Sequence, residues 1–249
     1  MAGHSRWAKV KHFKGGIDAK RGQIFAKLGR EITIVTKLGG GDPAMNARLR
    51  MVLLKCRSAN MPSDNIERAI KRGIGGGADA NFEELTYEVY GPHGVALLIE
   101  ISTDNRNRTA SEIRSLLAKL GGTMATAGAV TRLFQRQGQI MVVRESAVED
   151  DLMGLAIDAG AEDFKADPEG YEVITDPAHF EAVHRQIESK GIKCEVAKIT
   201  FLPTLTVTPP DAAASTAVAK LIEALEAHDD VKEVHSNASY PMPSELLQP

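Results

Sequence analysis

The chain has 249 residues, of which 43% are hydrophobic and 25% charged, a composition that excludes wholesale disorder and leaves room for two or three domains. Its two cysteines, Cys56 and Cys194, lie far apart without metal-ligand or disulfide spacing, and no apolar run reaches the ~18 residues of a membrane helix. The net charge of −3 hides a segregation: residues 1–77 hold 16 Lys/Arg against 5 Asp/Glu, and residues 78–249 hold 14 against 28.

The first thirty residues concentrate this charge, with Arg6, Lys9, Lys11, Lys14, Lys20, Arg21, Lys27 and Arg30 against the single acid Asp18. A basic segment of this kind gains by displacing counterions from a nucleic-acid backbone, and Trp7 can stack on a base or anchor on the protein's own core. From Asp18 to Leu38, Ile24, Phe25, Leu28, Ile32, Val35 and Leu38 recur at helical spacing, and Gly39-Gly40-Gly41 ends the stretch. Asp42-Pro43 reads as the cap and first turn of a second helix, whose buried stripe is Met45, Leu49, Val52, Leu53 and Cys56. Pro62, Ser63 and Asp64 open a third, with Glu67 supporting the start and Gly73 closing it. Arg68, Lys71 and Arg72 on this third helix extend the basic surface, as Arg48, Arg50, Lys55 and Arg57 do on the second, or else form solvated faces. Pro62 and the long turn from Gly39 to Asp42 do not supply the short tight turn of a helix-turn-helix.

Residues 73–81 are glycine-rich and read as a linker. Strands are expected over 86–90, 95–101 and 129–135, with a helix over 108–120 capped by Thr109 and Glu112. The segment "STDNRNRT" hands a strand over to that helix, so Asn105, Arg106, Asn107 and Arg108 form a candidate anion site at a helix N-terminus, with simple capping as the alternative. Residues 138–203 then alternate as βαββαβ, the ferredoxin-like order, and are acidic. A strand over 205–208, a helix over 213–228 and a strand over 231–236 follow.

The expected class is therefore α+β and multidomain. Residues 1–77 form a basic arm and three-helix domain, 78–137 with 204–249 a discontinuous α+β domain, and 138–203 an inserted acidic ferredoxin-like domain. Gly73-Ile74-Gly75-Gly76-Gly77 follows a helix and lacks the spacing of a nucleotide loop. No nucleophile, base or metal constellation is present in the sequence, His4 and His12 included, so catalytic residues, cofactors and metals are expected to be absent.

"MAGHSRWAKVKH", "DAKRGQIFAKLGREI", "KLGGGDP", "NMPSDNIERAIKRG", "YGPHGVALLIE" and "TDNRNRTASEIR" stand in order along the chain. Together they resemble the YebC/PmpR family. The resemblance implies three domains, the third inserted in the second, in a bacterial cytosolic protein or a mitochondrial relative acting in translation. It implies a DNA-binding transcriptional regulator or, alternatively, a ribosome-associated factor that relieves stalling at consecutive prolines, and it supplies no catalytic residue. The combined expectation is a cytoplasmic, non-enzymatic regulator that is not membrane-bound, with a monomer favoured and the oligomeric state otherwise open. Its partner is DNA, or rRNA or tRNA within the ribosome. An enzyme using an inter-domain cleft is the remote alternative.

Overall fold

The computed structural model describes residues 3–75 and 82–239, with side chains from residue 21 onward. In chain order the elements are α1 (Gly3–Gly39), α2 (Ala47–Ser58), α3 (Ser63–Ile74), β1 (Glu83–Tyr90), β2 (Ala96–Thr103), α4 (Arg106–Leu120) and β3 (Thr123–Met124), followed by β4 (Phe134–Val143), α5 (Glu149–Asp158), β5 (Ala161–Ala166), β6 (Gly170–Thr175), α6 (Phe180–Ser189), β7 (Val196–Pro203), α7 (Ala212–Glu226) and β8 (Val231–Ser236). The protein is thus mixed α+β, with N-terminal helices and two antiparallel sheets. The described residues fall into two compact units, 3–75 with 136–200 and 82–135 with 201–239.

In the first unit, α1 begins at Gly3 rather than near Asp18 and passes through Gly15-Gly16. Once nucleated, a helix gains one hydrogen bond per added residue, which offsets the roughly 1 kcal/mol disadvantage of a glycine. Leu28, Ile32 and Val35 of α1 pack with Leu49, Val52 and Cys56 of α2 and with Met61 and Ala69. The second helix starts four residues later than Asp42-Pro43 suggests, because Asn46 is its cap. The Asn46 Oδ1 accepts from the Leu49 N–H at 3.0 Å, and its Nδ2 donates to the Val35 and Gly40 carbonyls at 2.9 and 2.8 Å. Asp42 instead stabilises the preceding turn, accepting from the Ala44 N–H, and Met45 is thrown outward, 83% exposed. Gly73 does not close α3 but lies inside it, buried where α3 meets α1: a Cβ there would stand 2.7 Å from the Thr36 Cβ and 2.8 Å from the Thr33 carbonyl oxygen. Ser63 and Asp64 fall inside the first turn, and Pro62 precedes it without a side-chain cap.

The same unit contains a four-stranded sheet in the order β5-β6-β4-β7. Ile140 and Val142 of β4 and Tyr171 and Val173 of β6 face α5 and α6, where Leu152, Ala156, Phe180, Val183 and Ile187 complete the core. Met51 and Leu54 of α2 pack against this cluster.

The second unit is the sheet β3-β1-β2-β8. One face buries Val89, Leu97, Ile99 and Ile101 against Ile113 and Leu117 of α4 and Val218, Leu221 and Leu225 of α7. The strand expected over 129–135 is a 3-10 turn at Thr131–Leu133, with β4 starting only at Phe134. The N–H groups of Gly128, Val130 and Thr131 donate to the Glu88 carboxylate at 2.6, 2.6 and 2.9 Å, so they are not available to a ladder. Likewise the expected strand over 205–208 reduces to one bridge between Val207 and Ala238.

Candidate nucleic-acid interface

The basic residues of the helical region divide by their partners. Three of the four on α2 face acids: the Arg50 Nε lies 2.9 Å from Glu181 of α6, the Lys55 Nζ 3.1 Å from Glu31 of α1, and the Arg57 Nη1 3.8 Å from Glu188 of α6. The hydrogen bond and charge of Arg50 hold the Glu181 carboxyl below its ordinary value. Arg50 also donates to the Pro43 and Ala44 carbonyls. Arg50 and Lys55 are therefore fastened into the fold, whereas the Arg57–Glu188 pair is long and exposed and Arg48 lies at the surface.

The α3 cations differ. Arg68, Lys71 and Arg72 are exposed. Arg68 donates to the Asn65 Oδ1 and the Asp64 carbonyl, which fixes the side chain without neutralising it. Lys71 stands 3.9 Å from Glu67 one turn back, both well exposed, a pairing worth a few tenths of a kcal/mol in water. Arg72 has no ion pair among the described residues. On α1 the Arg21 guanidinium lies 5.9 Å from the centroid of the Phe25 ring, and Lys27 and Arg30 are half-buried and engaged in interactions of their own. The side chains of Arg6, Trp7, Lys9, Lys11, Lys14 and Lys20 lie outside the described residues.

Between α1 and α3 runs an open groove of about 340 Å³. Gly22, Phe25, Ala26 and Gly29 form its α1 wall; Asn65, Arg68, Ala69 and Arg72 form the α3 wall, with Met61 at its end. Spacings of three and four residues put each set on one helix face. Sequence reasoning found the arginines but not the groove, which depends on how two helices cross.

At "STDNRNRT" the helix cap is Asn105, whose Oδ1 accepts from the Arg108 N–H at 3.1 Å, rather than Thr109. The Thr109 hydroxyl turns inward and donates to the Asp230 Oδ2 at 2.7 Å, joined by Thr103 at 3.2 Å and the Arg108 guanidinium at 2.9 Å. Burial alone pushes the Asp230 carboxyl up, but the bonds from Thr109 and Arg108 and the Arg108 charge bring it below its ordinary value. Arg108 also meets Asp104 at 2.9 Å. Its guanidinium thus serves two carboxylates, while Arg106 and Asn107 are exposed at the helix start.

Two groups among the described residues have metal-ligand chemistry, Glu100 with Glu233 and His235, and Glu112 with His228 and Asp230. In the second, the His228 Nδ1 accepts from the Asp230 N–H at 3.1 Å, so its proton sits on Nε2, which faces Glu112 at 2.9 Å. That nitrogen has no lone pair for a metal. In the first, the His235 Nε2 lies 3.0 Å from Glu100, and Phe201 packs against the ring. No helix among the described residues is long and apolar enough to cross a membrane.

Residues 5–76 match the model of the TACO1/YebC protein N-terminal domain, and residues 82–238 that of the TACO1/YebC second and third domain. A probable transcriptional regulatory protein of Leptospira biflexa is 48% identical over 95% of this chain and 96% of its own. One of Halothermothrix orenii is also 48% identical, over 100% of this chain and 98% of its own. The crystal structure of a conserved hypothetical protein from Aquifex aeolicus superposes with a TM-score of 0.81 at 43% identity, covering 94% of this chain and 95% of that one. With both models matched and relatives this similar along nearly the whole length, the chain belongs to the TACO1/YebC family.

Proposed function

We propose that the protein is a non-enzymatic regulator of gene expression that binds nucleic acid through the basic face of α1 and α3, with DNA and transcription as the leading target. The observation that carries this reading is the division of charge: Arg50 and Lys55 of α2 are held close against Glu181 and Glu31, whereas Arg68 and Arg72 carry no carboxylate counterion among the described residues. The names of the relatives, probable transcriptional regulatory proteins, support the same direction. Arg6, Lys9, Lys11, Lys14, Lys20, Arg21, Lys27 and Arg30 would add positive charge along α1, which is helical from Gly3. Ala59 to Pro62 join α2 to α3 in four residues, with Asn60 at φ 52°, a connection as short as that of a helix-turn-helix; the second reading is phosphate recognition on structured RNA in the ribosome, for which a basic face suffices.

The acidic segment 138–203 is read as a ferredoxin-like unit, supported by the strand order β5-β6-β4-β7, inserted in a discontinuous domain of residues 78–137 and 204–249. The test is a salt titration of binding to duplex DNA and to a ribosomal RNA hairpin by fluorescence anisotropy. Each phosphate contact contributes about −0.9 to the slope of log K against log salt on duplex DNA. Arg68→Gln, Lys71→Gln and Arg72→Gln together should flatten that slope by two to three units. An unchanged slope and affinity would remove α3 from the interface. Preference for the hairpin, together with sedimentation alongside ribosomes, would make RNA the target.

A further inference from the structure

The groove between α1 and α3 contains two features that packing does not explain. Gly22 and Gly29 sit in the interior of a 37-residue helix, where glycine weakens the helix relative to alanine. Neither has a positive φ, and a Cβ built at either meets no atom within 4 Å. Gly73, also helical, is different, because α1 presses directly against it. At Gly22 and Gly29 no neighbour demands the missing side chain. What they preserve is the open space of the groove, together with Ala26 between them.

We infer that this groove accepts an unpaired nucleobase of a single strand, with Arg68 and Arg72 at the adjoining phosphates. The inference rests on the nucleic-acid-binding reading above and specifies the form of nucleic acid. The volume of about 340 Å³ lies at the small end of the ~300–1,000 Å³ typical of ligand pockets, suited to a flat ring and too small for a duplex. Phe25 contributes an apolar, aromatic surface, and guanidinium planes stack on bases as well as pairing with phosphate. Asn65 has committed its Oδ1 to Arg68, which leaves its amide protons directed to an acceptor on the edge of the base. The positive charge on the α3 wall matches the phosphates that flank any extruded base. The neighbouring acids, Asp64 and Glu67, lie outside the groove's lining.

The test fills the groove without changing its charge. Ala26→Leu and Gly29→Leu place an isobutyl side chain at positions lining the groove; leucine is a better helix former than glycine and close to alanine, so a far-UV circular dichroism melt close to or above that of the wild type certifies the fold. Binding of the full chain is measured by anisotropy to an unstructured single-stranded DNA, the RNA of the same sequence, and the corresponding DNA duplex. The wild type should prefer one or both single strands to the duplex. The filled variants should lose about fivefold or more in single-strand affinity, as expected for one lost stacked base, with duplex affinity and its salt slope unchanged. Arg68→Gln with Arg72→Gln should weaken all three. A stronger effect on RNA than on DNA assigns the occupant to RNA, and the reverse to melted DNA. Filled variants that bind single strands as the wild type does would overturn the base site while leaving the phosphate interface standing. A wild type that binds none of the three would overturn both.

Discussion

Gly73 and Gly29 allow one steric quantity to be isolated. Gly29 lies in the interior of α1 and Gly73 in the last turn of α3, so replacing either by alanine brings a gain in helix propensity of at most about 1 kcal/mol. At Gly29 the new methyl group enters open space, whereas at Gly73 it would stand 2.7 Å from the Thr36 Cβ and 2.8 Å from the Thr33 carbonyl oxygen. Neither obstacle is the free end of a flexible chain: Thr36 is 2% exposed, and the other atom is α1 backbone. Relief therefore requires α1 and α3 to separate, and overpacking of this sort costs about 1–3 kcal/mol. Gly29→Ala should stabilise by up to ~1 kcal/mol, and Gly73→Ala should fall below it by about 1–3 kcal/mol. With a urea m-value of roughly 1–3 kcal/mol per molar, the two midpoints should separate by on the order of 1 M. Equal midpoints for the two variants would refute the close helix crossing, and with it the geometry of the groove.

The other stability predictions follow from single polar groups. Asn46→Ala removes the α2 cap and strands the carbonyls of Val35 and Gly40 that its Nδ2 satisfies; a loss of about 2–4 kcal/mol is expected in denaturant unfolding, and a loss below about 0.5 kcal/mol would contradict the cap. Burial pushes the Glu88 carboxyl up, but the N–H groups of Gly128, Thr131 and Val130 together bring it below the ordinary 4.5. Its folded value being the lower one, its contribution is present in full above the unfolded value and disappears as pH falls through the folded value. Glu88→Gln should therefore lower stability near neutrality and flatten the dependence of thermal stability on pH below about 4.5; parallel acid limbs for the two proteins would show that the carboxylate does not hold the loop.

Periodicity made α1, α2 and α3 and the later helices legible from sequence, because each buries an apolar stripe; turn signals and apolar runs marked β2 and β6, which are buried on both faces, and the two-residue β3 gave no signal. Local starts and stops were less legible. Asp42-Pro43 has a stronger cap signature than Asn46, yet Asn46 wins because it reaches the Val35 and Gly40 carbonyls as well as the Leu49 N–H, and those partners are set by the turn after α1. Thr109 loses the α4 cap for a comparable reason: Asp230, more than a hundred residues away, draws its hydroxyl inward. The strand expected over 129–135 fails because Glu88 on β1 takes the N–H groups that a ladder needs. In each case a residue remote in sequence decides the outcome. The groove belongs to the same class: Gly22, Ala26 and Gly29 read as ordinary small helix residues until α3 is placed beside them.

The acidic composition of residues 138–203 takes on meaning through the same remote pairings. Sequence alone treats 14 acids against 6 basic residues as a dispersed solvated face, and treats the α2 cations as equivalent to those of α3. Within the first compact unit, Glu181 and Glu188 of α6 reach Arg50 and Arg57 of α2, and Glu31 of α1 reaches Lys55. A polyanion approaching α2 would have to displace carboxylates already in place, at an electrostatic cost that grows as those pairs are shielded from water. At Arg68 and Arg72 it would displace only water and mobile ions, whose release favours binding. On the proposed reading, Glu181 and Glu31 are built-in counterions that leave the attraction for nucleic acid strongest at α3. Replacing Glu181 and Glu188 by glutamine should then raise non-specific affinity for duplex DNA and steepen its salt dependence. An unchanged slope would show that Arg50 and Arg57 are kept from the ligand by position rather than by their carboxylate partners.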